Sequence, residues 1–63
     1  MIGSRLRTTR TALGLTLWEF ANLVAVDAGT IAKWESGETR PDYEQTLFLS
    51  DMLRILEAGR PHT

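Results

Sequence analysis

The segment "LTLWEFANLVAVDAGTIAKWESG", Leu15 to Gly37, constrains the fold more than any other part of the chain. It reads as two short helices joined by a tight turn. Thr16 and Glu19 have the spacing of a capping box, in which the Thr16 hydroxyl accepts from the Glu19 amide and the Glu19 carboxylate reaches back. Leu15 and Phe20 flank it as a hydrophobic staple. Phe20, Leu23 and Val24 then form an i, i+3, i+4 apolar face, with Ala21 small enough for close packing. Ala25 and Val26 make the turn. Asp27 caps a further helix over about 28–36, Val26 with Ile31 repeats the staple, and Ile31 and Trp34 share its inward face. Gly37 closes that helix and Pro41 prevents its continuation.

The flanks supply two more helices. Ser4 is expected to cap a first helix from Arg5 to Leu13, with Gly14 in the C′ position and Leu6 and Leu13 on one face. Asp42 and Gln45 form a second capping box, opening a helix of about 43–58 that ends at Gly59 and Pro61. The final "PHT" is expected to fray. No strand alternation, repeat or low-complexity run appears, so the fold class is all-α, a compact four- to five-helix bundle.

With 63 residues, one domain spanning 1–63 is expected. A domain of this size buries only ~60% of the surface its unfolded chain exposes, so it is marginal alone. Cysteine is absent, and the single histidine, His62, has no co-ligands nearby. No metal site and no cofactor are therefore expected, which leaves helix packing and self-association as sources of stability. Neither a signal peptide nor a membrane span is apparent, and the expected location is cytoplasmic. The acids are dispersed, with no histidine beside a nucleophile and no phosphate-cradling glycine loop. No catalytic residue is assigned, and the chain does not read as an enzyme.

The net charge of −1 hides an uneven distribution. Arg5, Arg7 and Arg10 precede the first acid, Glu19, whereas Glu35, Glu38, Asp42, Glu44, Asp51 and Glu57 weight the second half. A basic face on an acidic body is compatible with DNA. The plainer reading of the three arginines is a solvated helix face.

The stretches "SRLRTTRTALGLT", "LWEFANLVAV" and "TIAKWESGETRP" together resemble the Cro/repressor-type (XRE-like) helix-turn-helix domains of phage repressors and small bacterial regulators. The resemblance covers nearly the whole chain. It implies a lambda-repressor-like fold whose helix-turn-helix unit lies at about 16–37, an ion pair between Arg10 and Glu35, and binding of palindromic operator DNA as a homodimer. Several residues depart from the pattern. Leu17 stands where glutamine is frequent, and Ala25 replaces the usual turn glycine, at a strain cost of ~1 kcal/mol if the left-handed backbone is kept.

A recognition helix presents its N-terminal and outward residues to the major groove. The expected outward set is Ala28, Gly29, Ala32, Lys33 and Ser36. Lys33 can donate to guanine, while the alanines can touch only thymine methyls. Thr16, Leu17 and Trp18 at the start of the second helix, with Arg40 and Tyr43 beyond the third, are expected to hold phosphate, with Arg7 a further candidate. The last helix carries two apolar stripes. Leu49, Leu53 and Leu56 suffice for a core, whereas Phe48, Met52 and Ile55 form a second stripe expected to be the dimer interface. The plainer alternative is that this stripe packs under Met1 and Ile2.

The leading expectation is a dimeric, sequence-specific transcriptional regulator, most simply an autorepressor on double-stranded DNA. From so short a chain no sensing domain is expected. The competing expectation is a protein-interaction module on the same fold, with Leu17, Trp18, Ala28 and Ala32 as an apolar patch.

Overall fold

The computed structural model describes residues 2–59. These form four helices and no strand: α1 (Ile2–Ala12), α2 (Leu17–Val24), α3 (Ala28–Ser36) and α4 (Tyr43–Ala58). The expected all-α architecture is present, with four helices as its count. Met1 and the "PHT" ending, on which the expectation of fraying falls, lie outside the described residues. Among the described residues no helix is long and apolar enough to cross a membrane, and no acidic or histidine cluster could hold a metal.

Local chemistry sets most boundaries. At α2 the Glu19 amide donates to Thr16 Oγ1 (3.1 Å) and the Thr16 amide donates to Glu19 Oε1 (2.8 Å), completing the capping box. Leu15 is half-buried against the core and Phe20 fully buried, as a staple requires. At α4 the Gln45 amide donates to Asp42 Oδ1 (2.7 Å) and the Asp42 amide to Gln45 Oε1 (2.9 Å). Gly14 (φ 70°) and Gly37 (φ 81°) close α1 and α3 in the left-handed region that glycine enters without penalty. Ala25 adopts the same region (φ 57°) at the α2–α3 turn. The turn therefore keeps its shape without glycine, at the strain the sequence implied.

Tertiary packing moves the rest. Ser4 does not cap α1; the helix already begins at Ile2. Ile2 packs against the core, and Gly3 is buried where α1 meets the end of α3. A Cβ on Gly3 would collide with the Trp34 carbonyl oxygen, so only glycine permits this approach. Extending α1 by one turn gains that contact, which outweighs a serine cap.

The core comprises Leu6, Phe20, Ala21, Val24, Ala28, Ile31, Trp34, Leu49 and Leu53. It lies where α1 packs on α3 and α4, and α2 packs on α3. Leu23 departs from its expected inward place and is exposed, while Ala21 is buried. Ile31 and Trp34 face inward as expected. Across the α1–α4 contact, Glu57 Oε1 accepts from buried Thr9 Oγ1 (3.4 Å) and pairs with Arg5 Nε (3.5 Å). Among the described residues no buried side-chain polar atom lacks a partner.

Candidate nucleic-acid interface

The ion pair implied by the resemblance forms, and it ties α1 to α3. Arg10 Nε donates to Glu35 Oε2 (2.9 Å) and Arg10 Nη2 to Glu35 Oε1 (3.0 Å), a two-pronged pairing. Arg10 Nη1 also donates to the Leu15 carbonyl (3.1 Å), fixing the segment that leads into α2. The Glu35 hydrogen bonds hold the guanidinium even more firmly protonated than usual. With its side chain only 7% exposed, Glu35 needs this cation. Arg10 is thus committed to the fold and not free for a ligand.

The outward face of α3 follows from its buried residues. Ala28, Ile31 and Trp34 point inward, so a 100° step per residue turns Gly29, Lys33 and Ser36 outward, with Ala32 at the flank. Gly29, Lys33 and Ser36 are exposed, and Ala32 is half-buried. Ala28 is a correction. At 8% exposure it belongs to the core and offers a base edge little. Ser36 is partly committed, because its hydroxyl donates to the Lys33 carbonyl (3.0 Å) and accepts from the Glu38 amide (3.4 Å). Lys33 is the one charged side chain of the outward stripe.

The two helix starts have different electrostatics. At α3 the Asp27 carboxylate caps the helix by accepting from the Thr30 amide (3.3 Å), placing negative charge where an anion would otherwise sit. At α2 the cap is the neutral Thr16 hydroxyl, and the first-turn amides of Leu17 and Trp18 have no partner within the helix. Glu19 sits beside them. Hydrogen bonds from the Thr16 amide and then the Thr16 hydroxyl hold its carboxyl below the usual carboxylate range. The Leu17 side chain is half-buried against the core, so its outward contribution is its amide. Trp18 is 72% exposed and projects its indole into solvent.

Arg40 and Tyr43 are exposed beyond the other end of α3. Arg40 lines a cleft of about 250 Å³ with Gly3, Trp34, Gly37 and Thr46. Gly29 and Gly37 are eight residues apart, ~12 Å along the helix. Arg40 and the start of the reading face therefore flank α3 from opposite ends. Arg5, one of the three arginines of the N-terminal segment, pairs with Glu57. That pairing was not visible in the sequence, where the two residues lie 52 positions apart.

The second stripe of α4 is smaller than expected. Phe48 (49% exposed) and Ile55 (63%) are open to solvent with Leu47 beside them. Met52 is half-buried and packs against the core, so it is only partly available to a partner. Ile2 belongs to the core periphery and leaves Phe48 and Ile55 exposed.

Two helices joined through a short left-handed turn, the second bearing a small-residue face and a lysine, make a helix-turn-helix unit. The chain belongs to the helix-turn-helix domain family, whose profile matches residues 2–63. This agrees with the resemblance to Cro/repressor-type domains. No curated protein and no solved structure gives a comparable match.

Proposed function

We propose that this helix-turn-helix domain is a cytoplasmic, sequence-specific transcriptional regulator that acts as a homodimer and represses its own gene. In this reading α3 enters the major groove of a palindromic operator, and Lys33 donates to guanine O6 and N7. The Leu17 and Trp18 amides hold phosphate at one side, Arg40 and Tyr43 at the other. Two copies joined through Phe48 and Ile55 present their α3 helices to successive major grooves, ~34 Å apart. The observation that carries the reading is the outward face of α3, which is free of large apolar side chains and bears Lys33 alone as its charge.

Replacing Lys33 with alanine tests it. Discrimination between operator and scrambled duplex should fall by ~1–3 kcal/mol, with the thermal midpoint little changed. Unaltered discrimination would contradict the assignment. The exposure of Trp18 and Leu23 on α2 favours a second reading, in which the same surface docks a protein partner. That reading expects binding of the partner to survive Lys33→Ala and to fail in Trp18→Ala.

A further inference from the structure

We infer that the cleft where α1, α3 and the loop to α4 meet binds a small carboxylate with an apolar body, its charge held by Arg40. Binding itself needs no DNA, whereas the effect of an occupant on DNA rests on the function proposed above.

The cleft measures about 250 Å³. An apolar space of ~150 Å³ holds benzene, so this one accommodates a ring with a short acidic arm. Ile2, Trp34 and Pro41 give it apolar walls, and the position of a Cβ on Gly37 is open space. Arg40 is the one charged lining residue among those described, and it forms no ion pair with them. Its acidic neighbours Glu38 and Asp42 do not line the cleft, and the Asp42 carboxylate caps α4. The closing carbonyls of α3, which would oppose an anion, are covered. That of Lys33 accepts from the Glu38 and Thr39 amides (2.9 and 3.4 Å), and that of Trp34 from the Gly37 amide (3.2 Å). An apolar body gains by leaving water against these walls. A carboxylate offers the planar, singly charged group that a guanidinium grips with two parallel bonds. The acids flanking Arg40 in the chain disfavour a doubly charged phosphate. Arg40 engaged in this way is withdrawn from DNA phosphate, so the occupant acts as a signal that loosens the grip on the operator.

The test uses phenylacetate as probe, with phenylacetamide and acetate as its neutral and ring-free counterparts. Trp18→Phe leaves Trp34, in the cleft wall, as the sole tryptophan, and its emission is followed without DNA. Phenylacetate should give a saturating change in the millimolar range, as befits a ligand of about ten heavy atoms. Phenylacetamide should bind about 10-fold more weakly, the worth of one hydrogen bond to a charged group. Acetate should give no saturating change. Arg40→Gln, at an exposed loop position, should bring acid and amide to equal affinity. No saturation with phenylacetate overturns the inference, as does an acid preference that survives Arg40→Gln. The second arm is fluorescence anisotropy of the unaltered chain on DNA from upstream of its own gene, at constant ionic strength. Saturating phenylacetate in place of acetate should weaken binding about 10-fold. Unchanged affinity with the cleft filled overturns the signalling role and leaves DNA reading intact. Native and scrambled duplexes bound equally, with saturation still seen in the first arm, overturn DNA reading and leave the carboxylate site standing.

Discussion

Helices α3 and α4 each contribute an inward apolar stripe, Ala28, Ile31 and Trp34 from one and Leu49 and Leu53 from the other. Their outward faces differ. That of α3 carries glycine, lysine and serine, whereas α4 exposes Leu47, Phe48 and Ile55. One stripe is all a core needs from a surface helix. Large apolar side chains beyond it tend to be kept where a partner removes them from water. In the proposed reading, this contrast matches polar contacts with DNA at α3 and association of two copies at α4.

The largest effect that would break this contrast is expected on α4. Phe48→Glu with Ile55→Glu should yield monomers by sedimentation and weaken operator binding ~100-fold, the lower range of what linking two sites provides. Helicity should persist, since both residues are exposed. Dimers surviving this pair of changes would move the interface elsewhere.

The next effect concerns how α3 is held. Arg10→Ala leaves the Glu35 carboxylate buried without its partner and should cost ~3–5 kcal/mol in urea unfolding. Replacing both with apolar residues of similar volume, Arg10→Met with Glu35→Leu, should recover most of that loss. Equal instability in the single and double variants would show that the pair is not the source. Gly3→Ala should cost ~1–3 kcal/mol by pushing α1 off the Trp34 carbonyl. An unchanged midpoint would mean that α1 shifts freely at that contact.

A smaller effect sharpens the picture of α2. The hydrogen bonds at Thr16 depress the folded pKa of Glu19. Its contribution is therefore present above the ordinary carboxylate pKa and is lost as the pH falls through the lower folded value. Glu19→Gln should slightly flatten the acid limb of the stability profile. An unchanged limb would separate acid sensitivity from this cap.

What the sequence reveals divides by range. Caps and closing glycines lie within a few residues of what they act on, so Thr16 with Glu19, Asp42 with Gln45, Gly14 and Gly37 were all legible. The Arg10–Glu35 pair was legible through family resemblance, because nothing local joins residues 25 apart. Gly3 carried no signal of its own, since its role is set by a carbonyl on another helix. Ala28 and Leu23 were misplaced for a related reason. Helical period identifies which residues share a face, but the angle at which α2 meets α3 decides how far burial extends around it. Met52 likewise sits at the edge between the two faces of α4, and packing draws it inward.

The central claim is that α3 reads DNA sequence while α2 and the flanking loop grip the backbone. Its most direct test is fluorescence anisotropy with DNA from upstream of the protein's own gene and with a scrambled duplex, at two salt concentrations. The account predicts tight binding that weakens with salt and favours the native duplex at both concentrations. Equal, weak binding to both would contradict it, and would make Trp18 and its neighbours on α2 a protein-docking surface.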